Sequence, residues 1–85
     1  MALKLEVPDY NIESGISYNW ERNFVIETSY RNGQIQIKAN KEGLISLANH
    51  LLNLAQESVP TGHHMHFDDI NSLDDGSVEL IIEKI

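Results

Sequence analysis

The chain has no cysteine, so no disulfide closes its 85 residues and thiol chemistry is excluded. That absence fits a reducing compartment. Only five glycines are present, and none falls in a phosphate-cradling pattern. The serines, at positions 14, 17, 29, 46, 58, 72 and 77, sit in no nucleophile motif. Asp68-Asp69 and Asp74-Asp75 are paired carboxylates, but neighbours on a strand or loop point apart and read as turn formers. No run approaches the ~20 apolar residues that span a bilayer. The opening "MALKLEVPDY" breaks its apolar residues with Lys4 and Glu6, unlike a signal peptide. These absences predict a soluble, cytoplasmic, non-enzymatic single domain over 1–85. At this length, folding buries about 60–65% of the surface that the unfolded chain exposes.

Positive charge is also scarce, with 6 Lys and Arg against 13 Asp and Glu, for a net charge of −7. From Met1 to Gln56, six acids face five bases and the net charge is −1. From Glu57 to Ile85, seven acids face Lys84 alone and the net charge is −6. The last third therefore repels nucleic acid and anionic membranes and attracts a basic partner or a cation.

In "FVIETSYRNGQIQIKAN", Asn32-Gly33 between two alternating runs predicts a type I′ hairpin. The two-residue loop sets Arg31 opposite Gln34, Tyr30 opposite Ile35, Thr28 opposite Ile37 and Ile26 opposite Ala39. One face, Phe24-Ile26-Thr28-Tyr30 with Ile35-Ile37-Ala39, is expected to be core, and the other, with Glu27 opposite Lys38, to be wet. A helix follows over about 41–57, with Asn40 as N-cap and an apolar stripe of Leu44, Leu47, Ala48, Leu51, Leu54 and Ala55. His50 falls at the polar margin of that stripe and is expected to be solvated or half-buried.

The last segment alternates again. "HHMHFD" turns Met65 and Phe67 inward, and "SVELIIEK" turns Val78, Leu80 and Ile82 inward, with "DINSLDDG" as the loop between them. Leu3, Leu5 and Val7 mark a further candidate strand, and Ile12, Ile16, Tyr18 and Trp20 a short one. The expected fold is α+β: a mainly antiparallel sheet of about four to six strands, covered on one face by a single amphipathic helix.

His64 and His66 lie two apart, so a strand points both to the same side, with Asp68 in line after them. Two imidazoles about 7 Å apart along a strand and a carboxylate are zinc-ligand chemistry. Glu79 or Glu83 on the neighbouring strand would complete or orient such a set. The same face, without a deep pocket, also reads as a recognition surface, and both readings stand at this point.

The helix opening "NKEGLISLANHLLNLA", then "PTGHHMHFDD", then "L-x-x-G-S-V-E-L-I-I-E-K" together resemble immunity protein family 32 of bacterial polymorphic toxin systems. The resemblance spans Phe24 to Lys84, with His63 inserted before the Gly62-His64-His66-Asp68 alternation. It implies a cytoplasmic antidote that binds and neutralises a cognate toxin, often a nuclease. Within that pattern His64, His66 and Asp68 hold the fold, a metal or the toxin. The charge placement adds Asp69, Asp74, Asp75, Glu79 and Glu83 as expected partner-binding residues. The expectation is therefore a toxin inhibitor without a cofactor, binding neither nucleic acid nor membrane. The alternative is a small zinc-binding protein or metal-dependent hydrolase built on His64, His66 and Asp68. The terminal "SVELIIEKI" has few edge defences and would allow a homodimer through an edge strand.

Overall fold

The computed structural model describes residues 2–16 and 19–85. In chain order its elements are β1 (Ile26–Arg31), β2 (Gln34–Ala39), α1 (Lys41–Leu54), β3 (His64–Phe67) and β4 (Leu80–Glu83). β1 and β2 form the expected hairpin, with Asn32 at φ 53° and Gly33 at φ 75°. Its register runs from Ile26 opposite Ala39 to Arg31 opposite Gln34. Only the base of its apolar face is core, however. Ile26 and Thr28 are buried, whereas Tyr30, Ile35 and Ile37 are 65%, 71% and 44% exposed. The helix covers the base of the hairpin and leaves its outer half bare.

The reason lies at the start of α1. Asn40 caps the helix by accepting from the Gly43 amide at 2.8 Å. The same side-chain oxygen accepts from the Val25 amide at 2.9 Å, while its nitrogen donates to the Asn23 carbonyl. One side chain therefore ties the helix entry to the strand entry. Gly43 makes the close approach. A Cβ there would lie 2.4 Å from the Val25 carbonyl oxygen and about 3 Å from Ile26 and Ala39 side-chain carbons.

The helix ends at Leu54, earlier than the expected 57, and its buried face differs from the leucine stripe. Buried are Gly43, Ser46, Asn49, His50, Asn53 and Leu54, whereas Leu44, Leu51 and Leu52 are about half exposed. Leu51 was expected to be core and is 47% exposed; His50 was expected at the wet margin and is fully buried. The buried polar side chains satisfy backbone groups of an irregular N-terminal segment, as polar burial requires. Ser46 accepts from the Glu21 amide at 2.8 Å, and Asn49 donates to the Glu6 carbonyl at 2.9 Å. Gln56, just past the helix, accepts from the Tyr10 amide and donates to the Pro8 carbonyl. The segment 3–7 is thus held without being a strand. Asn11 and Gly15 make only an isolated bridge where a short strand was expected; Tyr18 lies outside the described residues.

β3 and β4 pair antiparallel, with Met65 opposite Ile82 and Phe67 opposite Leu80. Met65 and Phe67 join Ile26, Leu54, Val59 and Leu73 in the core. Among the described residues there are two two-stranded sheets rather than one sheet of four to six strands. The stretch before β4 bridges them. The Asp74 amide donates to Ile26 and the Val78 amide to Thr28, both on the β1 edge away from β2. Thr28 closes the join by donating its amide N–H to the Ser77 hydroxyl oxygen at 3.1 Å and its own hydroxyl to the Val78 carbonyl. Asp74 and Val78 lie four positions apart where their partners lie two apart. The excess is taken up in the Asp75-Gly76 turn, with Gly76 at φ 82°, and this bulge interrupts the ladder.

Gly43→Ala should destabilise the protein by about 1–3 kcal/mol through overpacking, although alanine is the better helix former by about 1 kcal/mol. Urea unfolding checks this, and a stabilised variant would show that the helix entry is loose. In the same assay Leu54→Ala should cost about 2–5 kcal/mol and Leu51→Ala less than about 1 kcal/mol. The reverse order would restore the leucine stripe as core.

Candidate functional site

The outward face of the β3–β4 hairpin is set by the inward one. With Met65, Phe67, Leu80 and Ile82 turned to the core, alternation sends His64, His66, Ile81 and Glu83 to solvent. His64 stands opposite Glu83 and His66 opposite Ile81. The two imidazole rings approach edge to face, with centroids 4.8 Å apart. Glu79, just before β4, places a carboxylate oxygen 3.3 Å from His66 Nδ1. His64 Nδ1 lies 3.1 Å from the Gly62 carbonyl, which can only accept, so the proton of that contact sits on the ring. His66 and Glu79 are both about half exposed, and such a pair contributes little stability.

The structure thus gathers His64, His66, Glu79 and Glu83 on one face and separates Asp68 from them. Asp68 turns into the loop after β3, where one carboxylate oxygen accepts from the Ile70 amide at 3.0 Å and the Asn71 amide at 2.9 Å. The Asp68 carbonyl accepts from Ser72 and Leu73. This is the local backbone capping that aspartate favours in turns. It makes Asp68 a builder of the loop and leaves Asp69 and the almost fully exposed Ile70 at its tip. Among the described residues no three His, Cys, Asp or Glu side chains come together as a metal-ligand set. His63 stands apart from the pair, edge-on to Tyr10 with centroids 6.0 Å apart.

Asp74 and Asp75 belong to a different place, the turn running beside β1. Asp75 lines an open groove of about 750 Å³ together with Glu27, Arg31 and Lys38. Arg31 and Lys38 of the first hairpin therefore share a groove with Asp75 and Glu27, so the acidity read along the sequence is balanced there. At the second hairpin the one base, Lys84, turns away from the outer face. Lys84 Nζ donates to the carbonyls of Gln56 and Val59, at 2.5 and 2.8 Å, and so closes the segment after α1.

Next to His66 lies a pocket of about 230 Å³, lined by Trp20, His50, Met65, His66, Phe67 and Asn71. It is smaller than the ~300–1,000 Å³ of typical small-molecule sites and suits a single inserted side chain. Trp20 is held in place by Phe24, stacked at 4.5 Å, and by His50, tilted at 4.2 Å. His50 Nδ1 donates to the Ser46 carbonyl at 2.6 Å. Burial pushes the His50 pKa below the ordinary 6.5, with the Ser46 hydrogen bond opposing part of the shift. Neither Trp20 nor His50 stands out in the sequence as a site residue. The available signal is that Ser46, Asn49, His50, Asn53 and Gln56 recur at the same three- and four-residue steps as the leucines.

A family model described as "Immunity protein 32" matches residues 34–85. No curated protein and no solved structure matches the chain.

The lowered pKa of His50 sets a pH dependence. The unfolded chain takes up this proton near pH 6.5, while the folded protein resists it to lower pH. Between the two values the unfolded state binds more protons, so stability falls as pH falls. The urea midpoint should therefore be level above about pH 7 and drop below about pH 6.5, with a shallower drop in His50→Gln. An equal slope in that variant would assign the acid sensitivity to other groups.

Proposed function

Because the chain belongs to the Immunity protein 32 family, we propose that it binds a cognate bacterial toxin domain in the cytoplasm and blocks it without catalysis. The observation that carries this reading is the outward face of the β3–β4 hairpin. It is exposed, rich in hydrogen-bonding and acidic groups, and backed by core residues that keep its geometry fixed. His64, His66, Glu79 and Glu83 form the polar part. Asp69 and Ile70 extend it along the loop, and Ile81 supplies an apolar centre between the histidine and the glutamates. The Trp20–His50–Phe67 pocket beside His66 provides a socket for an anchoring toxin side chain, the arrangement typical of binding hot spots. Asp75, whose groove Arg31 and Lys38 share, takes a lesser part, and Asp74 sits beside it at the edge of β1.

A nuclease toxin fits this surface best, because its phosphate-binding cleft is basic and the hairpin face is acidic. Inhibition is by occlusion, so neither a zinc ion nor another cofactor takes part. Exhaustive dialysis followed by metal analysis should leave no stoichiometric zinc. One tightly held equivalent, lost in a His64→Ala His66→Ala double variant, would make the metal reading the better one.

Binding to a cognate toxin domain is the direct test. The association rate should fall steeply with added salt, as the Debye length shrinks from ~10 Å at 0.1 M to ~3 Å at 1 M. Neutralising Asp69, Glu79 and Glu83 together should slow association, whereas neutralising Glu6, Glu13 and Glu21 should leave it nearly unchanged. A larger loss from the N-terminal set would place the contact on the wrong side of the molecule.

A further inference from the structure

The first hairpin carries an uncovered strand. In β2 the alternation that pairs Gln34, Gln36 and Lys38 with β1 turns the backbone N–H and C=O groups of Ile35 and Ile37 to the outer edge. Among the described residues no backbone group docks on that edge at Ile35 or Ile37. The side chains of Ile35, Ile37 and Tyr30 share the face on which α1 sits and lie beyond its reach. An edge of this kind is a template for another strand.

The sequence of that strand reads almost the same in both directions about Gln36: Gln34-Ile35-Gln36-Ile37-Lys38. We propose that β2 pairs antiparallel with β2 of a second copy of this chain, about a two-fold axis at Gln36. Ile35 of each copy then faces Ile37 of the other, Gln36 faces Gln36, and Lys38 faces Gln34. The outward amides and carbonyls of Ile35 and Ile37 exchange about four hydrogen bonds. The four isoleucines meet on one face of a four-stranded sheet, and the axis, perpendicular to that sheet, keeps both copies of α1 on the same side.

Charge singles out this edge and this occupant. In a chain of net charge −7, β2 carries no acid, and its one base lies opposite a neutral residue in the symmetric register. Self-pairing of β4 about Ile81 would instead set Glu79 opposite Glu83 twice, a like-charge arrangement that destabilises strand pairs. This moves the edge expected from the sequence, at "SVELIIEKI", to the first hairpin. A basic toxin strand would find no attracting charge on β2, so the second copy is the better partner. The proposal is independent of the toxin-binding reading, which concerns the other hairpin.

Sedimentation of the purified full chain from micromolar to near-millimolar concentration should show a reversible monomer–dimer equilibrium that persists at high salt. Hydrogen exchange at the Ile35 and Ile37 amides should slow as the dimer forms. Ile37→Lys and, separately, Ile35→Lys place a base beside the seam at exposed positions and should raise the dissociation constant by about tenfold or more. Circular dichroism would verify that each variant is folded. A chain that stays monomeric throughout overturns the proposal. So does a dimer indifferent to both lysines, or protection of these amides that appears only when the toxin domain is added.

Discussion

The polar seam along α1 is the constraint on which the rest of the molecule depends. Ser46 and Asn49, with Gln56 beyond the helix end, bind the backbone of Glu21, Glu6, Tyr10 and Pro8. That segment has no ladder of its own, so its amides and carbonyls need partners wherever they are shielded from water. The helix supplies them at a regular spacing and in return gives its buried face to amides and hydroxyls rather than to leucine. Asn53 donates to the Asn49 carbonyl and side-chain oxygen, which holds Asn49 in the orientation that reaches Glu6. With the polar side inward, leucines are left on the surface, and Trp20 is carried onto His50 at the edge of the second hairpin. The pocket beside His66 is a product of the same choice.

Much of this was legible from the amino-acid order, and the parts that were not share a cause. The Asn32-Gly33 turn, the register of the first hairpin, the Asn40 cap and the outward direction of His64 and His66 all follow from rules acting within a few residues. The composition of the buried helix face does not. Leucine and polar residues recur on α1 with the same period, and which one turns inward depends on a segment more than twenty residues away. The split of the expected single sheet is also non-local, since it rests on the Asp75-Gly76 bulge meeting the edge of β1. Asp68 shows the limit of an in-line motif. Its spacing from His66 is right for a shared face, but the strand ends at Phe67 and the carboxylate is taken by the next backbone amides.

The two hairpins have different characters because they meet the core differently. The second is anchored along its length by Met65 and Phe67, so its outer face is held in place. The first is anchored only at its base, and its outer half projects with apolar groups uncovered. The two exposed surfaces therefore differ in chemistry, the second hairpin bearing histidines and glutamates and β2 of the first carrying no acid.

The continuous stretch from Asp74 to Glu83 has a consequence for how the molecule opens. Its first half is bonded to β1 and its second half is β4, so neither hairpin can detach without disturbing a chain that the other one holds. Small domains with separable sheets open piecewise, each part exchanging its protons on its own schedule. Here the shared stretch makes the outer face of the second hairpin borrow its persistence from the first, so that the two open together.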